Sequence, residues 1–148
     1  MLYAAKGNTN AKATFNDSAP LILWLQGGPG CADEGNYVEM GPFNVIPGKN
    51  GSVPVANGIT WNSEYHMLFV DAPVGVGYSV SGGDLPITAM QYAVHMEAFL
   101  KRFFEIYTSL KGKDFYIFGE SYAGHYIPAV TAHLIQNYAT NKIKVTGI

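Results

Sequence analysis

Cysteine is almost absent from this sequence: Cys31 is the single one, so no disulfide can close within the chain, and on residue count alone it reads as a small buried residue. Charge is sparse at 14% of residues, and the formal net charge is -2. Lys and Arg form no run along the sequence, which argues against nucleic acid and polyanion partners. Long apolar runs are lacking too. The stretches 20–25 and 67–70 stop far short of the roughly 20 residues that span a bilayer, so no transmembrane helix is expected. Residues 1–13 contain Lys6, Asn8 and Asn10 without a continuous apolar core, so they do not read as a signal peptide.

What is present is apolar content of 48% in 148 residues, enough for one packed domain and no more. Residues 1–19 show no periodicity and read as a weakly structured lead-in, with residues 20–148 forming part of a single domain. Leu21 to Leu25 is a continuous apolar run ended by Gly27, Gly28, Pro29 and Gly30, the pattern of a buried parallel strand and a tight loop. Met67 to Val70 and Phe115 to Phe118 repeat it, and Ile143 to Ile148 reads as a further strand. From Phe43 to Thr60, Asn50-Gly51 and Asn57-Gly58 punctuate short apolar pieces and predict a hairpin.

Ala89, Ala93, Met96, Leu100, Phe103 and Tyr107 recur at helical spacing, with Thr88 and Gln91 as a capping box. A second helical pattern runs from Ser121 to Asn137, with Pro128 tolerable only in an early turn or at a kink. Strands alternating with helices predict an α/β fold with a mostly parallel sheet, flanking helices, and functional loops at the strands' C-terminal ends.

The chemistry concentrates at Gly119-Glu120-Ser121-Tyr122-Ala123, placed between a strand and a helix. A serine hydroxyl is a weak nucleophile, and hydrolases present it on such a turn, where a base reaches it and backbone N–H groups surround the reacting carbonyl. The Gly-x-Ser-x-Gly pattern is missed by one methyl at Ala123. Taken alone, the segment is equally compatible with an ordinary turn. A second clue is the Gly27-Gly28-Pro29-Gly30 loop after an earlier strand, since this architecture draws one oxyanion N–H from such a loop and one from the residue after the nucleophile.

Five blocks, PLILWLQGGPGC (20–31), EMGPF (39–43), WN (61–62), FVDAPVGVGYS (69–79) and GESYAGHY (119–126), resemble the serine carboxypeptidases. These are lysosomal, vacuolar and secreted α/β-hydrolases that remove C-terminal residues from peptides at acidic pH. The resemblance implies a partial α/β-hydrolase fold whose later strands are missing, Ser121 as nucleophile, and Gly28 and Tyr122 as oxyanion hole. It also implies that Gln26, Gly27, Glu39 and Glu120 bind the substrate's terminal carboxylate. Two carboxylates close together and partly buried share a proton, so one of them is a neutral donor below neutrality.

No metal or cofactor is expected. The family usually has Asn at position 26 and Ser-Ser at 32–33, where this chain has Gln26 and Ala32-Asp33. The resemblance would pair Cys31 with a later cysteine that this sequence lacks.

Relatives carry the triad Asp and His on later strands, so the expected partner is a complementing C-terminal segment or chain that supplies them and covers apolar sheet edges. His66, His95, His125 and His133 are not expected to act as the base, and Asp71 is expected to order its loop. Within the family, acyltransferases use the same serine, and a non-catalytic scaffold is the other open reading. The sequons Asn16-Asp17-Ser18 and Asn50-Gly51-Ser52 agree with a lumenal route.

Overall fold

A computed structural model describes residues 1–5, 15 and 18–148. In chain order the elements are β1 (Leu2–Tyr3), β2 (Leu21–Leu25), α1 (Gly35–Val38), β3 (Phe43–Gly48), β4 (Gly51–Ala56), β5 (His66–Phe69), α2 (Ala89–Ile106), β6 (Phe115–Gly119), α3 (Ala123–Gln136) and α4 (Tyr138–Asn141). β2 lies between β5 and β6, parallel to both, and β1 adds antiparallel to β5, giving the order β1-β5-β2-β6.

Every residue of β2 is buried, which explains its uninterrupted apolar sequence. Its alternation still sorts the faces. Leu21, Leu23 and Leu25 join the core under α2 and α3, while Ile22 and Trp24 pack with Met67 and Phe69 on the other side. α2 starts at the expected capping box: the Thr88 side chain accepts from the Gln91 N–H, and the Thr88 N–H donates to Gln91 Oε1. Tyr92 of α2 stacks on Tyr126 of α3 at 4.2 Å between ring centroids, and His133 Nε2 meets Glu97 Oε2 at 2.9 Å. Both helices are thereby fixed on one sheet face.

Three expectations need correction. Leu2–Tyr3, within the supposed lead-in, is a sheet strand, paired through Leu2↔Leu68 and Tyr3↔Met67. Two residues are too few to show a period. Residues 6–14, 16 and 17, including Asn16 and Asp17 of the first sequon, lie outside the described residues.

Residues 143–148 do not form a strand. Only Gly147 bridges Tyr116, in parallel, with the Thr146 N–H donating to the Phe115 carbonyl at 2.7 Å. The preceding residues are spent on the return from α4, where Asn141 Oδ1 accepts from the Ile143 N–H.

Finally, the lysines scattered in sequence do cluster in space: five line one cavity of ≈ 460 Å³ at the start of β6. The predicted hairpin is β3–β4, with the second sequon at its exposed turn. Among the described residues no helix is long and apolar enough to cross a membrane.

Candidate active site

β6 ends at Gly119, α3 begins at Ala123, and the exposed Ser121 sits between them at φ +53°. A non-glycine residue in the left-handed region is strained, and such strain concentrates at functional sites. The turn is closed by the Ala123 N–H donating to the Glu120 carbonyl at 2.9 Å and the Gly124 N–H to the Ser121 carbonyl at 3.1 Å.

The local sequence explains the tightness. A Cβ at Gly119 would stand 2.3 Å from the Leu25 carbonyl oxygen and 2.7 Å from the Ala123 Cβ. Ala123 is fully buried. Its methyl occupies room that Gly119 leaves, which is why the motif tolerates alanine there.

The glycine-rich loop after β2 presses directly on this turn. A Cβ on Gly27 would lie 2.7 Å from the Ser121 Cβ, 3.0 Å from the Tyr122 nitrogen and 3.1 Å from the Glu120 carbonyl oxygen. Gly28 follows at φ +113°, where an added Cβ would also strike the Gly30 and Cys31 nitrogens at 2.6 and 2.7 Å. The expected oxyanion pair, Gly28 and Tyr122, is thus carried by two segments in contact. Cys31 is a free, exposed thiol at the end of this loop, correcting its reading as a small buried residue.

The expected carboxylate-binding residues converge beside the serine. Gln26 Nε2 donates to Glu120 Oε1 at 2.9 Å, and Trp24 Nε1 donates to Gln26 Oε1 at 3.0 Å. The Gln26 amide thus serves both glutamates, donating to Glu120 and acting on Glu39. Gly35 of α1 closes the group: a Cβ there would stand 3.1 Å from both Gln26 Oε1 and Glu39 Oε2. Partial desolvation pushes the Glu39 carboxyl up, the nearby Glu120 adds to the shift, and the hydrogen bond from Gln26 opposes it. Both glutamates are exposed, where partial burial was expected, so the loops leave these carboxylates open to a ligand.

Two residues outside the expected site hold its loops together. Asp33 is buried at 6% exposure; its Oδ2 accepts from the Val70 N–H at 2.9 Å, and its own N–H donates to Asp71 Oδ1 at 2.8 Å. Asp71 Oδ2 accepts in turn from the Tyr78 N–H. Asp71 orders its loop as expected, and Asp33 makes the arrangement reciprocal between the loops after β2 and β5.

Asp33 Oδ1 and Asn36 Oδ1 are both buried without a hydrogen-bond partner among the described residues. Burial pushes the Asp33 carboxyl up to about 7. In the sequence Asp33 stood out only as a departure from the family's usual Ser-Ser. Gly35 and Asn36 escaped it because a four-residue helix carries no period.

The histidines have other positions. His66 is fully buried and its Nδ1 accepts from the Ala5 N–H, and His133 is engaged with Glu97. The His125 ring lies 4.7 Å from that of Tyr122, and His95 is exposed on α2.

A strand, a strained serine turn and a helix, with a glycine-rich loop from the neighbouring parallel strand packed against the serine, are the arrangement of an α/β-hydrolase fold. The family model for serine carboxypeptidase matches residues 8–148, and the chain belongs to the serine carboxypeptidase family. It is 42% identical over 138 residues to serine carboxypeptidase-like 29 of Arabidopsis thaliana, covering 88% of this chain and 28% of that protein. With carboxypeptidase Y of Saccharomyces cerevisiae it shares 40% identity over 131 residues, covering 85% of this chain and 24% of the relative.

Among solved structures it is similar to a prohormone-processing carboxypeptidase from Saccharomyces cerevisiae, with TM-score 0.76, 33% identity, and coverage of 92% of this chain and 30% of that one. The chain thus spans under a third of the length of these relatives.

Proposed function

We propose that this chain supplies the nucleophile and carboxylate-recognition half of a serine carboxypeptidase. The observation that carries the reading is Ser121, held at φ +53° on an exposed turn with Gly27 packed against it. In this reading Ser121 Oγ attacks the last peptide carbonyl, and the N–H groups of Gly28 and Tyr122 take the developing oxyanion. The C–N bond breaks, the C-terminal residue leaves as an amine carrying the proton from Ser121, and water hydrolyses the acyl-enzyme.

Gln26, Gly27, Glu39 and Glu120 receive the substrate's terminal carboxylate. Like charges would repel, so recognition needs a proton between them. The raised Glu39 carboxyl supplies it as pH falls, which favours work in an acidic compartment such as a lysosome, a vacuole or an acidified secretory lumen.

Proton transfer requires a base and an orienting acid, which we assign to a complementing C-terminal segment or chain. A fluorophosphonate probe should label the native protein, and Ser121→Ala should abolish the labelling. Release of a C-terminal amino acid from an N-blocked dipeptide should depend on the same serine. An unreactive Ser121 in the assembled protein would favour a scaffold role, and transfer to an added alcohol in place of hydrolysis would identify an acyltransferase.

A further inference from the structure

At the opposite end of β6 from Ser121, five of the chain's nine Lys and Arg residues line one cavity of ≈ 460 Å³: Lys101, Lys111, Lys113, Lys142 and Lys144. Among the described residues the acids on its wall are Glu105 and Asp114, a formal excess there of three positive charges on a chain whose net charge is -2. Glu105 is already engaged by Arg102 at 2.9 Å, so it offsets less than its formal charge. The C-terminus of α2 adds about half a negative charge nearby, too little to balance the lysines. Lys101 also acts on Glu97 and Lys113 is engaged as well, so the weight rests on Lys111, Lys142 and Lys144.

The backbone holds these lysines in place. Lys142 stands at φ +58°, a conformation that glycine adopts without steric cost. A buried Asn141 enforces it: its Nδ2 donates to the Leu134 carbonyl and to Glu97 Oε1, both at 3.0 Å, and its Oδ1 accepts from the Ile143 N–H at 2.8 Å. The Lys142 ammonium lies 5.8 Å from the centroid of the Tyr138 ring. Across the cavity, Gly112 at φ +89° makes the turn that places Lys111 and Lys113 on the same wall.

The geometry points to a second binding site, separate from the serine, for a compact anion bearing several phosphate or sulfate esters on a small ring scaffold. The volume falls within the range of small-molecule sites, and a nucleic acid strand would need an extended groove instead. Lysines act as point charges toward such esters. Phe104, Leu110 and Tyr138 supply apolar wall for the scaffold. The same chemistry occurs on soluble phosphorylated sugars and on phosphoinositide headgroups.

Calorimetry on the full chain with inositol hexakisphosphate tests the soluble source. Sedimentation with phosphatidylcholine vesicles, with and without a phosphoinositide, tests the lipid one. Saturable binding in either arm is the expected result, weakening as salt rises. Lys111→Ala and Lys144→Ala, both at exposed positions, should each lower affinity about tenfold. Lys49→Ala, in the β3–β4 turn, should not. Binding preserved in Lys111→Ala and Lys144→Ala, binding lost equally in Lys49→Ala, or no saturable binding at physiological ionic strength in either arm would overturn the site. A hexaglutamate peptide binding as tightly as the inositol phosphate would overturn the ester assignment.

Discussion

Replacement of Asp33 by asparagine tests how far one buried carboxylate weakens the junction between the loops after β2 and β5. The residue is 6% exposed, one carboxylate oxygen is satisfied by the Val70 N–H, and the other has no hydrogen-bond partner among the described residues. Burial raises its carboxyl to about 7, the Val70 hydrogen bond and the Met1 amino group oppose the shift, and Asp71 and Glu39 add to it.

In the unfolded chain the same group titrates near about 3.9. Between these values the folded protein keeps a proton that the unfolded chain has lost, so the free energy of unfolding falls as pH rises through this window. Stability from this group is complete below about pH 4 and lost above about pH 7, and three pKa units set an upper bound of about 4 kcal/mol.

Asparagine keeps an acceptor for Val70 and cannot ionise. The variant should therefore match or exceed the parent at every pH, with its advantage growing by roughly 2–3 kcal/mol between about pH 5 and pH 8. Urea unfolding followed by tryptophan fluorescence at both pH values measures the difference directly. Glu97 contributes in the opposite direction: hydrogen bonds from Asn141 and His133 outweigh its desolvation and hold it low, so its share is lost as pH falls. That share is common to both proteins and cancels in the comparison. A gap that stays constant with pH would refute the assignment of the titration to Asp33.

Ser121→Gly relieves the positive φ and should raise the urea midpoint by about 1 kcal/mol of stability while abolishing fluorophosphonate labelling; a lower midpoint would show that the turn is unstrained. Gly27→Ala forces a methyl to within 2.7 Å of the Ser121 Cβ and should cost about 1–3 kcal/mol along with the labelling. Gly124→Ala, where a Cβ meets nothing within 4 Å, should instead stabilise α3 by about 0.5–1 kcal/mol, and equal effects at the two glycines would sink the steric argument. Thr88→Ala removes the capping box of α2 and should cost about 1 kcal/mol in thermal unfolding, with no change in serine reactivity.

The parts of the fold that were legible in sequence are those whose signal is local. β2 is buried on both faces, so its apolar run is continuous, and α2 is amphipathic over 18 residues with a marked start. β1 has two residues and α1 four, so neither completes a period, yet β1 extends the sheet and α1 carries Gly35 against Gln26 and Glu39. The alanine that breaks the Gly-x-Ser-x-Gly pattern looks like a weakened motif only in one dimension; in three, Gly119 provides the space for it.

Charge shows the same limit more sharply, because a net charge near zero describes a sum and not a distribution. Asp33, Glu39, Asp71 and Glu120 gather where β2, β5 and β6 end, while five lysines gather where β6 begins. β6 is five residues long, so about 17 Å of strand separates the two groups. That exceeds the Debye length of about 8 Å at physiological ionic strength, so each end presents its own field to solvent. If the serine side receives a terminal carboxylate as proposed, its acidic pole disfavours that ligand until a proton arrives, and the basic pole presents a positive field independently of it. The overall charge of the chain, on which partner classes are ordinarily excluded, therefore had no power to exclude an anionic ligand here.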